Sequence, residues 1–181
     1  VIVLGDDSQK IYPTIYDFLM NRAVDQSARI TSDYERNSAF LKSLQTKGIQ
    51  IKDLAQPTND FIRLDFSGDE NLVTLQSYKE FLQSLVNRNM NEAVVLTEIN
   101  RNNYLSGRSE NYRTKYAYDF LAALEKKNQQ YGYNVEIIDA LLTQLQMSFY
   151  SNRGGDDNEK ENSKKVYEWL KYGIDKYPNY D

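Results

Sequence analysis

The side chains with the most to offer chemically fall in one stretch. Arg101, Arg108, Arg113 and Lys115 are interleaved with Tyr104, Tyr112, Tyr116 and Tyr118, and only Glu98 and Glu110 offset the charge nearby. A guanidinium presents a fixed fork of donors to carboxylates or phosphates and stacks on aromatic rings, so this mixture suits recognition rather than bond cleavage. Three uses compete for it. Arg and Tyr are enriched among the anchors of protein–protein interfaces. The same residues can neutralise phosphates and stack bases. Or the rings pack internally while the guanidinium groups stay in water. Polar residues 100–113, with Gly107 among them, read as a loop that leaves Arg101, Tyr104 and Arg108 exposed and ends at Arg113. Those four residues are the expected partner-binding set.

Bond-making chemistry is restricted by what the chain lacks. It contains no histidine and no cysteine. Imidazole bases, Ser-His-Asp and Cys-His arrangements, histidine-held zinc and thiolate nucleophiles cannot be assembled from it. Carboxylates remain. Asp119 and Asp139 each sit in an apolar neighbourhood, where desolvation raises a carboxyl pKa, and two facing carboxyl groups can hydrolyse a glycosidic bond. On an amphipathic helix the same residues fall at the solvent edge. Asp69, Asn71 and Glu80 have the spacing of calcium-loop positions, but the position that needs glycine is Thr74. No metal and no cofactor is expected.

The 181 residues carry 22 Lys and Arg against 26 Asp and Glu, a net charge of -4. That balance argues against a bulk polyanion binder, since phosphate contacts come from excess basic residues. Tyrosine is abundant, with 15 in the chain, and suits half-buried seams where ring and hydroxyl meet different surroundings. No run approaches the roughly 18 consecutive apolar residues of a spanning helix, so no membrane span is expected. The chain starts at Val1, as a processed, exported or excised chain would; compartment is not fixed by its composition.

Positioning these residues falls to helices. Residues 112–150 read as an amphipathic pair joined near Gly132, with Tyr112, Tyr116, Phe120, Leu121 and Leu124 on one face and Val135, Ile138, Leu141, Leu142, Leu145 and Phe149 on the other. Short connections make such helices antiparallel neighbours. Upstream, Ile15, Phe18, Leu19 and Ala23 give a first helix its buried face; residues 13–47 read either as one helix or as two with a break near Thr31, where Ser32 and Glu35 pair as a cap, and Gly48 ends the segment. Alternation over residues 61–66, then Gly68, predicts a small β-hairpin near residues 61–76. Ser77 with Glu80 reads as the cap of the next helix, interrupted over residues 87–91, with a short helix over 92–99. A flexible loop is expected at about 152–160. Beyond it lies a last helix with Val166, Trp169, Leu170, Ile174 and Tyr177 inward, stopped by Pro178.

Two short likenesses stand beside this reading. Gly5-Asp6-Asp7-Ser8-Gln9-Lys10-Ile11-Tyr12 resembles the Gly-Asp-x-x-Gln-x-Ile-Tyr loop of superfamily-1 DNA helicases, which implies a nucleotide-sensing role for Gln9; no Gly-Lys-Ser/Thr phosphate loop accompanies it. Val166, Leu170, Gly173, Ile174 and Pro178 resemble the second helix of a tetratricopeptide repeat, which implies helical-hairpin packing.

The expectation is therefore a mainly α single domain over residues 1–181, a bundle of about six helices with one hairpin. Its expected function is that of a non-enzymatic protein-interaction domain of the inhibitor, immunity, adaptor or exported-accessory type, with another protein as partner. A nucleic-acid or phosphate binder using the Arg/Tyr stretch and a carboxylate-dependent hydrolase acting on glycans are the alternatives.

Overall fold

The computed structural model describes residues 11, 12, 14–29, 34–128, 135–151 and 156–178. Among them are nine α-helices and no strand. The helices are α1 (Ile15–Arg29), α2 (Tyr34–Thr46), α3 (Thr58–Phe61), α4 (Val73–Asn87), α5 (Asn91–Arg108), α6 (Glu110–Lys115), α7 (Ala117–Asn128), α8 (Val135–Ser151) and α9 (Asp156–Lys176). Short 3-10 turns at Ile51–Ala55 and Glu70–Leu72 join the early elements.

Helix α5 is the organising element. It supplies Tyr104 and Leu105 to a core with Phe40, Leu54, Phe61 and Tyr78. Val95 and Ile99 enter a second core with Phe120, Leu121 and Leu141. Ala93 joins a third with Tyr12, Phe18, Phe81 and Leu85. A helix apolar on several faces must be buried on several faces. The α4–α5 turn is tight: Met90 N donates to Leu85 O at 3.0 Å, and Asn89 takes the left-handed conformation at φ 58, which Asn tolerates better than most residues.

The expected amphipathic pair is present in altered form. Its first half is two helices, α6 and α7, broken at Tyr116, and α7 packs on α8. Tyr112, Phe120, Leu121, Leu124, Ile138, Leu141 and Leu145 are buried as their spacing requires. Gly48 ends α2 with φ +69, and Ile49 N donates to Leu44 O, a backward cap open to a residue without Cβ.

Several expectations are corrected. The helices number nine among the described residues rather than about six. The hairpin near residues 61–76 is absent: Phe61 ends α3, Gly68 reverses the chain, and α4 has begun by Val73. Phe61 and Phe66 both turn inward, their rings 5.4 Å apart, so the alternation came from a compact turn. A lone hairpin is marginal on its own. Ser77 is inside α4, donating to Val73 O, while Asp69 caps the preceding turn through Asn71 N. The loop expected at 100–113 is helix through Arg108, with only Ser109 between α5 and α6. Helix α9 starts at Asp156, inside the loop expected at 152–160. Gly5 to Lys10, Ser32, Gly132 and Gly154 lie outside the described residues.

Candidate functional site

The four expected contact residues are distributed by α5 and α6 in different ways. Arg101 is 0% exposed. Its Nε donates to Glu98 Oε2, Nη1 to Leu54 O, and Nη2 to Gln56 O at 3.2 Å. Glu98 is buried too and accepts from Thr58 Oγ1 at 2.6 Å. The guanidinium lies 4.0 Å from the Phe61 ring centre and 4.8 Å from that of Phe120. A charge in an apolar interior persists when it is paired and its donors are used. Arg101 meets that condition and ties the segment over residues 51–58 to α5.

Tyr104 is also inside, at 5% exposure. Its ring centre lies 5.8 Å from Tyr78 and 6.2 Å from Phe40, the latter edge-on. Burial pushes its hydroxyl above the ordinary tyrosine pKa. The premise that Arg101 and Tyr104 stand exposed on a loop is thus corrected. Past Ile99 the helix buries polar residues with internal contacts: Arg101, and Asn102, whose Oδ1 accepts from Tyr112 Oη at 3.2 Å. Arg108 and Arg113 are half-buried. Arg108 lies 5.3 Å from the Tyr104 ring centre and donates to Asn37 Oδ1 at 3.4 Å. Arg113 is 3.8 Å from Glu110. Tyr104 and Arg108 are therefore brought together, while Arg101 and Arg113 serve separate surroundings.

Asp119 and Asp139 are both exposed and line different cavities. They do not form one facing pair. Asp119 borders a cavity of 290 Å³ between the 3-10 turn Ile51–Ala55 and α7. Asp139 borders a cavity of 510 Å³ lined also by Asn100, Asn103, Leu96 and Ile99. Among the described residues no group of three or more acidic side chains is placed to hold a metal ion. Asp69 and Glu80 are engaged with Asn71 N and Gln76 Nε2 respectively.

A further acid–base pair escaped sequence reading. Asp17 on α1 is buried, and Arg88 at the end of α4 grips both its carboxylate oxygens, Nη1 at 2.8 Å from Oδ2. Thr14 Oγ1 adds a bond of 2.6 Å. The Arg88 hydrogen bonds hold the Asp17 carboxyl below its usual pKa despite the opposing effect of burial, and Asp17 in turn raises Arg88. Nothing in the spacing of two residues so far apart in the chain signals this pair.

The widest departure from expectation is on α9. Leu170 is 46% exposed and Ile174 is 70% exposed, although both were expected inward. Tyr167 joins them at 67%. These three recur at helical spacing and form one stripe. The inner face of α9 is held instead by Gly173 against Ile138, by Trp169 Nε1 donating to Tyr118 Oη at 3.0 Å, and by Tyr172 Oη donating to Glu125 Oε1 at 2.7 Å. Lys160, Lys164 and Lys171, all exposed, follow the stripe along its solvent edge, with Glu161, Glu168 and Asp175 beyond them. Helix α1 repeats the pattern with exposed Ile15, Tyr16 and Leu19, where Ile15, Leu19 and Ala23 were expected inside. Burying Asp17, Phe18 and Val24 turns that other face outward.

No described helix is long and apolar enough to cross a membrane. Comparison with protein-family models, with curated proteins and with solved structures finds no match to this chain.

Proposed function

We propose that this chain is a non-enzymatic helical protein-interaction domain that docks an acidic amphipathic helix of a partner protein on the outer face of α9. The observation that supports it is the exposed stripe of Tyr167, Leu170 and Ile174 beside Lys160, Lys164 and Lys171, of which Lys164 also lies 3.8 Å from Glu168. Amphipathic helices bind grooves and faces through apolar anchors at helical spacing. A basic edge selects a partner whose own apolar stripe is flanked by acids, because like charges brought together are penalised. Tyrosine and large aliphatic side chains supply anchor area. Of the four residues expected to contact a partner, Arg101 and Tyr104 support the same domain from within as packing residues, while Arg108 and Arg113 keep a share of surface. A nucleic-acid reading is less well supported, since Arg101 cannot reach a phosphate without leaving its pocket.

The test uses two labelled synthetic helices with the same leucine stripe, one flanked by glutamate and one by lysine, titrated into the full chain by fluorescence anisotropy. The glutamate helix is expected to bind at least about tenfold tighter. Ile174→Asp should weaken it by a further factor of about ten or more, as loss of an interface anchor does. Equal binding of the two helices, or no effect of Ile174→Asp, overturns the proposal. So does a concentration-dependent dimer by sedimentation that Ile174→Asp abolishes, because the occupant is then a second copy.

A further inference from the structure

A second surface stands apart from α9. The 290 Å³ cavity between the 3-10 turn Ile51–Ala55 and α7 has an apolar wall made by Ala55, Pro57, Phe120, Ala123 and Leu124. That volume is at the lower end of cavities that take small organic ligands, about 300 to 1,000 Å³, and most such sites are apolar with few polar groups. The wall suits a short alkyl chain or a single ring.

The charges around the cavity divide into spent and available ones. Glu98 lines it, yet both its carboxylate oxygens are already taken, by Arg101 and by Thr58. It places no demand on a ligand for a cation. Lys52 and Lys127 also line it, are exposed, and enter no ion pair among the described residues. Exposed Asp119 is the one carboxylate that opposes them in the lining besides Glu98. The mouth therefore carries a net positive charge next to an apolar interior. An ammonium on a flexible stem can follow a ligand head group while its methylenes extend the apolar wall.

We propose that this cavity binds a small amphipathic carboxylate, with its apolar body against Phe120 and Leu124 and its head between Lys52 and Lys127. The site is independent of the α9 face, and neither proposal needs the other.

The probe is octanoate, with n-octanol and n-octylammonium as chain-matched controls, titrated into the full chain and followed by methyl NMR. Octanoate is expected to bind saturably with a Kd near or below about 1 mM. Its shifts should concentrate on Ala55, Ala123 and Leu124. Octanol should bind about tenfold more weakly, and octylammonium more weakly still. The double variant Lys52→Ala/Lys127→Ala alters only exposed side chains, so thermal unfolding checks that its fold is kept. It should lower octanoate affinity about tenfold while leaving octanol unchanged. Equal affinity for octanoate and octanol in the wild-type chain overturns the assignment of the head group. Preference for octylammonium overturns it as well, by making Asp119 the dominant charge. Shifts outside the cavity, or none at all, overturn the site.

Discussion

Removing Arg101 tests the buried side of this architecture most directly. In Arg101→Ala the Glu98 carboxylate keeps Thr58 but loses its counter-charge, and the carbonyls of Leu54 and Gln56 lose their donor. Breaking a buried pair from one side costs about 3 to 5 kcal/mol. Each orphaned carbonyl would add about 1 to 3 kcal/mol if the terms were independent. They are not, because the vacated space adjoins the cavity that Glu98 lines, and water entering there can solvate the exposed groups. The expected loss is therefore about 3 kcal/mol, near the lower bound for a broken pair. A domain's whole stability is about 5 to 15 kcal/mol, so this is between a fifth and more than half of it. Arg101→Lys keeps the charge but not the fork that serves Glu98, Leu54 and Gln56 at once, and should lose about half as much. The double variant Glu98→Leu/Arg101→Leu leaves no charge behind and should be more stable than Arg101→Ala. Urea unfolding followed by far-UV circular dichroism gives all four stabilities. A loss below about 1 kcal/mol for Arg101→Ala, or a double variant no better than that single one, would show that the pair is effectively solvated and the argument wrong.

Tyr104→Ala should cost about 3 to 5 kcal/mol in the same assay, because its ring is packed between Phe40 and Tyr78 rather than presented to a partner. Asp17 ties stability to pH: Arg88 holds its carboxyl below the ordinary carboxylate value, so the unfolded chain binds the proton more readily and stability rises with pH. The contribution is complete above the unfolded pKa of about 4 and is lost as pH falls through the lower folded value. Asp17→Asn should accordingly lower the urea midpoint at neutral pH, and the gap from wild type should shrink in acid; a gap that stays constant refutes this. Leu141→Ala, in the α7–α8 core, should cost about 2 to 5 kcal/mol. Ile174→Asp should stay within about 0.5 kcal/mol of wild type, which thermal unfolding of the pair can check.

Helix type was legible where one face alone is apolar. Phe120, Leu121, Leu124, Ile138, Leu141 and Leu145 lie inside as their spacing implied. The stop at Gly48 was legible for a local reason, its positive φ. Failures begin where burial is polar. Arg101 and Asn102 made the second half of α5 look like a loop, yet both are buried. Periodicity assigns charged residues to solvent and cannot see partners such as Thr58 or the Leu54 carbonyl, which arrive from a distant segment. The reverse error fell on α1 and α9. Their spacing marks an apolar arc but not which part of it a neighbour covers. On α9, Gly173 faces Ile138 while Trp169 and Tyr172 bond to α7, leaving Leu170 and Ile174 outside that contact. The cavity had no sequence signal at all, since Lys52 and Lys127 meet only through the fold.

These placements also redistribute the roles of the helices. Helix α5 holds the residues that looked most suited to recognition, and it uses Arg101 and Tyr104 to join elements distant in the chain. In the proposed function recognition falls instead to α9, where Tyr167, Leu170 and Ile174 are exposed. Helix α7 lines one proposed surface and backs the helix that carries the other. Phe120, Ala123 and Leu124 wall the cavity, while Tyr118 and Glu125 accept hydrogen bonds from Trp169 and Tyr172 of α9. Its seat is fixed by Leu121, which is fully buried against the second core. A helix anchored in this way presents two faces without needing to move, and coupling between sites requires an element with two arrangements. The two proposals are therefore expected to be separable, each open to substitution without disturbing the other.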